Sequence, residues 1–174
     1  MGATSSIAHG ELHALCGRSN YAGAGGSEAG TLKIIRAAKR LKEDRNLLYL
    51  PFPGTNTTIL YEAARLGGHE TLCVIKLLAE SADNEEEFLN VLNWVDQNGR
   101  SALHVATTGE AAAALLLSGC TMLNFQDNQG NTPLLLATKN QSRSTVPVLL
   151  SWGGCNEKVK DFETGQTAIE QYVV

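Results

Sequence analysis

Residues 127–137 read D-N-Q-G-N-T-P-L-L-L-A, and no other stretch restricts the fold of this chain so tightly. Asp127, Asn128 and Gly130 make a tight turn, in which glycine takes the φ > 0 that other residues resist. Thr132 and Pro133 then open a helix: threonine caps orphan N–H groups, and proline at the first helical position loses no bond. Leu134, Leu135, Leu136 and Ala137 follow without a polar face, so this helix has to pack against a neighbour. A unit of this kind is built to be stacked.

The same order returns at residues 96–106, D-Q-N-G-R-S-A-L-H-V-A, and more loosely at 165–169, G-Q-T-A-I, and 58–64, T-I-L-Y-E-A-A. The residues that open each helix, Thr58, Ser101, Thr132 and Thr167, lie 43, 31 and 35 positions apart. The last two spacings bracket the ~33-residue ankyrin period. Three copies also end alike, with a double leucine before small residues: L-L-A-E-S-A-D at 77–83, L-L-S-G-C at 116–120 and L-L-S-W-G-G-C at 149–155.

On these residues the chain resembles the ankyrin-repeat family over roughly residues 55–170. The resemblance implies an all-α ankyrin-repeat solenoid of about 3.5 to 4 helix–loop–helix repeats with β-turn fingers. The repeats would fall at residues 55–95, 96–126, 127–160 and 161–174, and the last would contain only its first helix. The stack then either stops half-way, with an open apolar end, or is completed by another chain through self-association. Within the family, L-N-F-Q-D-N-Q-G-N-T-P-L-L-L-A at 123–137, Asn140-Gln141, and G-G-C with Asp161-Phe162 are most similar to IκB, the ankyrin inhibitors of NF-κB/Rel transcription factors. That likeness implies sequestration of a Rel subunit in the cytoplasm or nucleus. The N-terminal segment lacks the family's Asp-Ser-Gly-x-x-Ser phosphodegron, and no acidic tail follows Val174. The resemblance thus implies a truncated, signal-insensitive inhibitor of the kind some viruses make. The rival reading is an ankyrin adaptor or pathogen effector that docks an unrelated host protein, at a membrane in one version.

Charge narrows the partner. Residues 31–45 carry six basic and two acidic side chains, whereas residues 46–174 carry seven basic and fourteen acidic ones. An acidic repeat body repels phosphate and suits a basic protein surface, so a protein partner is expected and nucleic acid is not. With 43% hydrophobic and 18% charged residues the composition is that of a soluble globular protein. No run approaches the ~20 apolar residues of a membrane span, and the N-terminus lacks the plan of a secretory signal. Cytosol or nucleus is the expected compartment. Cys16, Cys73, Cys120 and Cys155 are expected as reduced thiols, three of them on the repeat pattern near or inside packed helices.

Residues 1–30 contain no strong element, and A-G-A-G-G at 22–26 reads as a flexible linker. Met1-Gly2-Ala3-Thr4-Ser5-Ser6 fits the N-myristoylation pattern on Gly2; a Met-Gly start left by cloning is the other reading. His9, His13 and Cys16 share one face of a short amphipathic turn and have Zn²⁺-ligand character, but Glu11 stands one place too late for H-E-x-x-H. No cofactor and no metal are expected. Residues 31–50 read as an amphipathic basic helix that caps the stack, with Leu32, Ile35, Ala38 and Leu41 on its apolar stripe. A membrane-surface or nuclear-import segment is the alternative. In the first repeat, helices are expected at 59–66 and 70–78, with Gly67-Gly68-His69 as the turn between them. Asn84 with three glutamates behind it starts an inserted helix that explains the 43-residue spacing. Pro147 either starts a shortened helix or kinks one.

The chain has no phosphate loop, no G-x-S-x-G and no paired-carboxylate motif, so it is not expected to be an enzyme. His104, in the T-P-L-H-like phrase of repeat two, is expected to bond to backbone between repeats. Binding is assigned to the fingers and first-helix surfaces. The finger candidates are Asp96, Gln97, Asn98 and Arg100, then Asp127, Asn128, Gln129 and Asn131. The helix candidates are Tyr61, Glu62, Arg65, Thr107, Thr108, Lys139 and Asn140. Trp94 and Trp152 are the large aromatics nearest turns; each is either an interface anchor or buried between repeats.

Overall fold

In the computed structural model, which describes residues 49–52 and 54–172, seven α-helices and one 3₁₀ helix follow one another without a strand. They are α1 (Ile59–Leu66), α2 (Gly68–Ser81), α3 (Glu85–Leu92), α4 (Gly109–Leu117), the 3₁₀ turn Met122–Asn124, α5 (Pro133–Lys139), α6 (Thr145–Ser151) and α7 (Ala168–Tyr172). The second helices pack in series, α2 on α4 and α4 on α6, while α5 packs on α6 and on α7. This is the expected all-α solenoid.

Local chemistry at each helix start follows the sequence pattern. Thr58 Oγ1 accepts from Tyr61 N at 3.2 Å and Thr132 Oγ1 from Leu135 N at 3.3 Å. Thr167 and Glu170 form a reciprocal capping box, N to Oε2 at 2.7 Å and N to Oγ1 at 3.3 Å. The inserted helix α3 starts at Asn84, whose Oδ1 accepts from Glu87 N. Its Val91 and Leu92 are buried, and Leu89 lies 3.4 Å from where a Cβ on Gly119 would stand. The insertion therefore packs on the outside of repeat two.

Three expectations are corrected. Helix α2 begins two residues earlier and ends three later than residues 70–78, because Gly67 ends α1 and Gly68 already starts α2. That tight junction works because Gly68 sits against the next repeat: a Cβ there would come within 2.4 Å of Glu110 Cβ. Repeat two has no first α-helix. Residues 102–105 form tight i→i+3 turns, His104 N to Ser101 O and Val105 N to Ala102 O. The following Thr107 N–H leaves the helical direction for Ala64 O of α1, and His104 Nδ1 is drawn back onto Ser101 N and Oγ. Thr107 is exposed, but Thr108 is the cap of α4, its Oγ1 accepting from Ala111 N. Pro147 does not itself start the seven-residue α6, which begins at Thr145; it is the third residue, in the first turn, where its missing N–H breaks no helical bond.

The fingers project between repeats. In the third, Asp127 N bonds to Asn131 O and Gly130 N to Asp127 O, both at 2.9 Å, with Gly130 at φ +80°. A Cβ on Gly130 would stand 2.6 Å from Phe162 Cγ, so the Phe162 ring lies against the bare glycine. Gly130→Ala is expected to lose at least about 1–2 kcal/mol from the left-handed backbone alone. A urea midpoint equal to that of the wild type would show that this finger can open without cost.

Candidate protein-binding surface

The second, third and fourth fingers are each organised by one aspartate used in the same way. The Oδ1 of Asp96 accepts from Asn98 N and Arg100 N, that of Asp127 from Gln129 N and Asn131 N, and that of Asp161 from Thr164 N and Gly165 N. The other oxygen receives a donor from the repeat before. Tyr61 Oη donates to Asp96 Oδ2 at 2.9 Å, Arg100 Nε to Asp127 Oδ2 at 2.9 Å, and Lys139 Nζ to Asp161 Oδ2 at 2.8 Å. Between fingers the backbone itself is bonded, Asn128 N to Asn98 O and Phe162 N to Gln129 O. The fingers thus form a continuous, preorganised ridge.

The electrostatics of these clamps favour charged aspartates. Burial pushes the Asp127 carboxyl up, but hydrogen bonds from Asn131, Arg100 and Gln129 together hold it below the usual carboxylate range. The Lys139 ammonium beside Asp161 does most to hold that carboxyl low, against the cost of burial. Burial, then the hydrogen bond and charge of Asp96, raises the Tyr61 phenol well above its ordinary value, so it stays a donor. His104 is the reverse case. Burial lowers its imidazole to about 4, so the neutral ring accepts from Ser101 at Nδ1 and donates from Nε2 to Phe125 O and Asn131 O at 3.0 and 3.2 Å. It bonds to backbone of the next repeat, as its position in the phrase implied.

Several expected surface residues are therefore interior. Tyr61, Glu62, Asp96, Asp127 and Asn131 are buried, because each is needed to close a turn, a helix salt bridge or an inter-repeat clamp. Arg65 is half-buried against Glu62, and Arg100 is half-buried with its guanidinium on Asp127 and Gln129. Lys139 is exposed as a residue, but its side chain is half-buried and its Nζ holds Asp161 and Asn131. Trp94 is half-buried, with Nε1 donating to Asn56 O, and Trp152 is half-buried against the core. What remains outward on the ridge are the amides Gln97, Asn98, Asn128 and Gln129, and Asn140 is exposed at the end of α5. The Gln97 and Asn140 side chains bond to no other described residue.

Three features went unread in the sequence. Phe162 is 72% exposed on the fourth finger and Phe125 is 43% exposed, edge-on to His104 at 6.3 Å between centroids. Asn93 and Asn124 tie the outer loops together: Asn93 Oδ1 accepts from Thr121 N, and Asn124 Oδ1 from Asn156 N. Their signal was present, since each stands three residues before a finger aspartate. Among the described thiols only Cys120 is buried, which raises its pKa to about 11; Cys73 and Cys155 are half-buried, and these three are free. Gly2, the His9, His13 and Cys16 group and nearly all of residues 31–50 lie outside the described residues. Among the described residues no helix is long and apolar enough to cross a membrane.

A stack of helix pairs joined by clamped fingers, with amide side chains outward at the finger tips, defines a class of repeat scaffold. The family model for ankyrin repeats matches three copies over residues 60–161, and the chain belongs to the ankyrin-repeat family. It is also similar to Neurogenic locus notch homolog protein 1 of Danio rerio, 36% identical over 76 residues. That match covers 40% of this chain and 3% of the relative, so the chain corresponds to a small part of that much longer protein. Proteins built on ankyrin repeats serve as protein–protein interaction modules.

Proposed function

We propose that this chain is a non-catalytic docking module that receives a basic protein surface along its finger ridge. In its finer form it is an IκB-like inhibitor that holds an NF-κB/Rel subunit away from nuclear import and DNA. The observation that carries the proposal is the division of labour on the ridge. Asp96, Asp127 and Asp161 and the cations Arg100 and Lys139 are consumed by clamps, while Gln97, Asn98, Asn128 and Gln129 face outward. Amides at fixed spacing on a rigid ridge lose little freedom on binding. The described body supplies the long-range attraction, with fourteen acidic against seven basic side chains. The Rel assignment rests on the IκB-like wording of residues 123–137 and acts in cytosol or nucleus.

The test is direct binding of a purified Rel subunit to the wild type and to Gln97→Ala/Asn140→Ala. These two side chains bond to no other described residue, so the double variant should keep its unfolding midpoint and lose about tenfold in affinity, or ~1.4 kcal/mol. Binding that is unchanged by the variant places the partner elsewhere on the chain. No Rel binding by the wild type discards the inhibitor reading and leaves an adaptor for an unrelated basic protein.

A further inference from the structure

Between the end of α2 and α3 lies a cleft of about 340 Å³ that the repeat frame does not account for. Tyr49, Val91 and Trp94 supply its apolar and aromatic lining, and Asp83, Glu86 and Glu87 its charged rim. Tyr49 is held in place, its hydroxyl donating to Leu78 O at 2.8 Å. Tyr49, the first described residue, thus stands at the wall of this cleft.

We infer that the cleft is the docking site of this chain's own basic segment, residues 31–45. Three independent features select that occupant. Reach is the first: Arg45 stands four residues before Tyr49, so its Cα is at most about 14 Å away and the basic end of the segment starts within reach of the cleft. Side-chain chemistry is the second. Leu32, Ile35, Ala38 and Leu41 recur at helical spacing and match an apolar lining. Lys33, Arg36, Lys39, Arg40, Lys42 and Arg45 match an acidic rim, and the long aliphatic stems of such residues cover apolar surface while their charges stay wet. The third is economy of association: joining by the chain itself turns docking into an intramolecular event with a high effective concentration. The consequence is that the acidic rim near α3 is committed within the chain, and an outside basic partner is left the finger ridge.

Zero-length carbodiimide coupling of the full chain tests this, because it joins a lysine amine only to a carboxylate in contact. Peptide mapping of the monomeric product is expected to show links from Lys33, Lys39 or Lys42 to Asp83, Glu86 or Glu87. The exposed Lys76–Glu80 pair, 3.9 Å apart, is the internal control. Coupling at Lys76–Glu80 without any of the predicted links overturns the proposal. Finding them only in a covalent dimer also overturns it, and assigns the cleft to a second copy.

Discussion

Replacing Asp127 by alanine is expected to cost about 3 kcal/mol, because it strips several buried or half-buried donors of one shared acceptor. Gln129 N, Asn131 N, Asn131 Nδ2 and Arg100 Nε all end on this carboxylate, which is 3% exposed. The Arg100 guanidinium would then face a cavity with only Gln129 Oε1 left. Because repeat stability is a sum of units and nearest-neighbour interfaces, the damage concentrates at the junction of repeats two and three. Urea unfolding should change from one transition to two, or to a broad one. Asp127→Asn keeps the shape and one carbonyl acceptor and should lose less. A single unshifted transition for Asp127→Ala would refute the clamp as a stabilising device.

Acid should weaken the same junction through His104. Its imidazole titrates near 4 in the folded chain against about 6.5 in the unfolded chain, so the unfolded state binds the extra proton between those values. The contribution is present above about pH 6.5 and is lost as pH falls toward 4, to a total of about 3 kcal/mol. Between pH 7 and pH 5 the loss should be about 2 kcal/mol. Protonation would force a hydrogen onto Nδ1, where Ser101 N–H already points. Below that range Asp127 and Asp161, whose carboxyls are held low, lose their clamps in turn as they protonate. The measurement is the urea midpoint across this range for the wild type and for His104→Gln. A wild-type slope no steeper than that of the variant would mean that the buried histidine does not govern acid stability.

Much of this was legible before any coordinate. The helix openers Thr58, Thr132 and Thr167, the positive-φ Gly130 and the start of α3 at Asn84 follow from chemistry confined to a few neighbouring residues. The repeat spacing was legible because stacking identical units imposes a period on the sequence. Other expectations failed where the deciding partner lies about a repeat away. Asp96 and Asp127 looked like free finger carboxylates, yet their second oxygens are taken by Tyr61 and Arg100, 35 and 27 residues earlier. The first helix of repeat two looked as regular as that of repeat three, yet Thr107 N bonds to Ala64 O across the junction.

The sequence by itself determined a stack of ankyrin units, their turn and cap residues and an acidic body, because each of those rests on local backbone preference or on composition. Only the tertiary structure decided which polar side chains are scaffold and which are surface. Asp, Asn, Arg and Lys read alike in the one-letter string, and their roles divide only when the next repeat delivers, or fails to deliver, a hydrogen-bond partner within 3 Å or so.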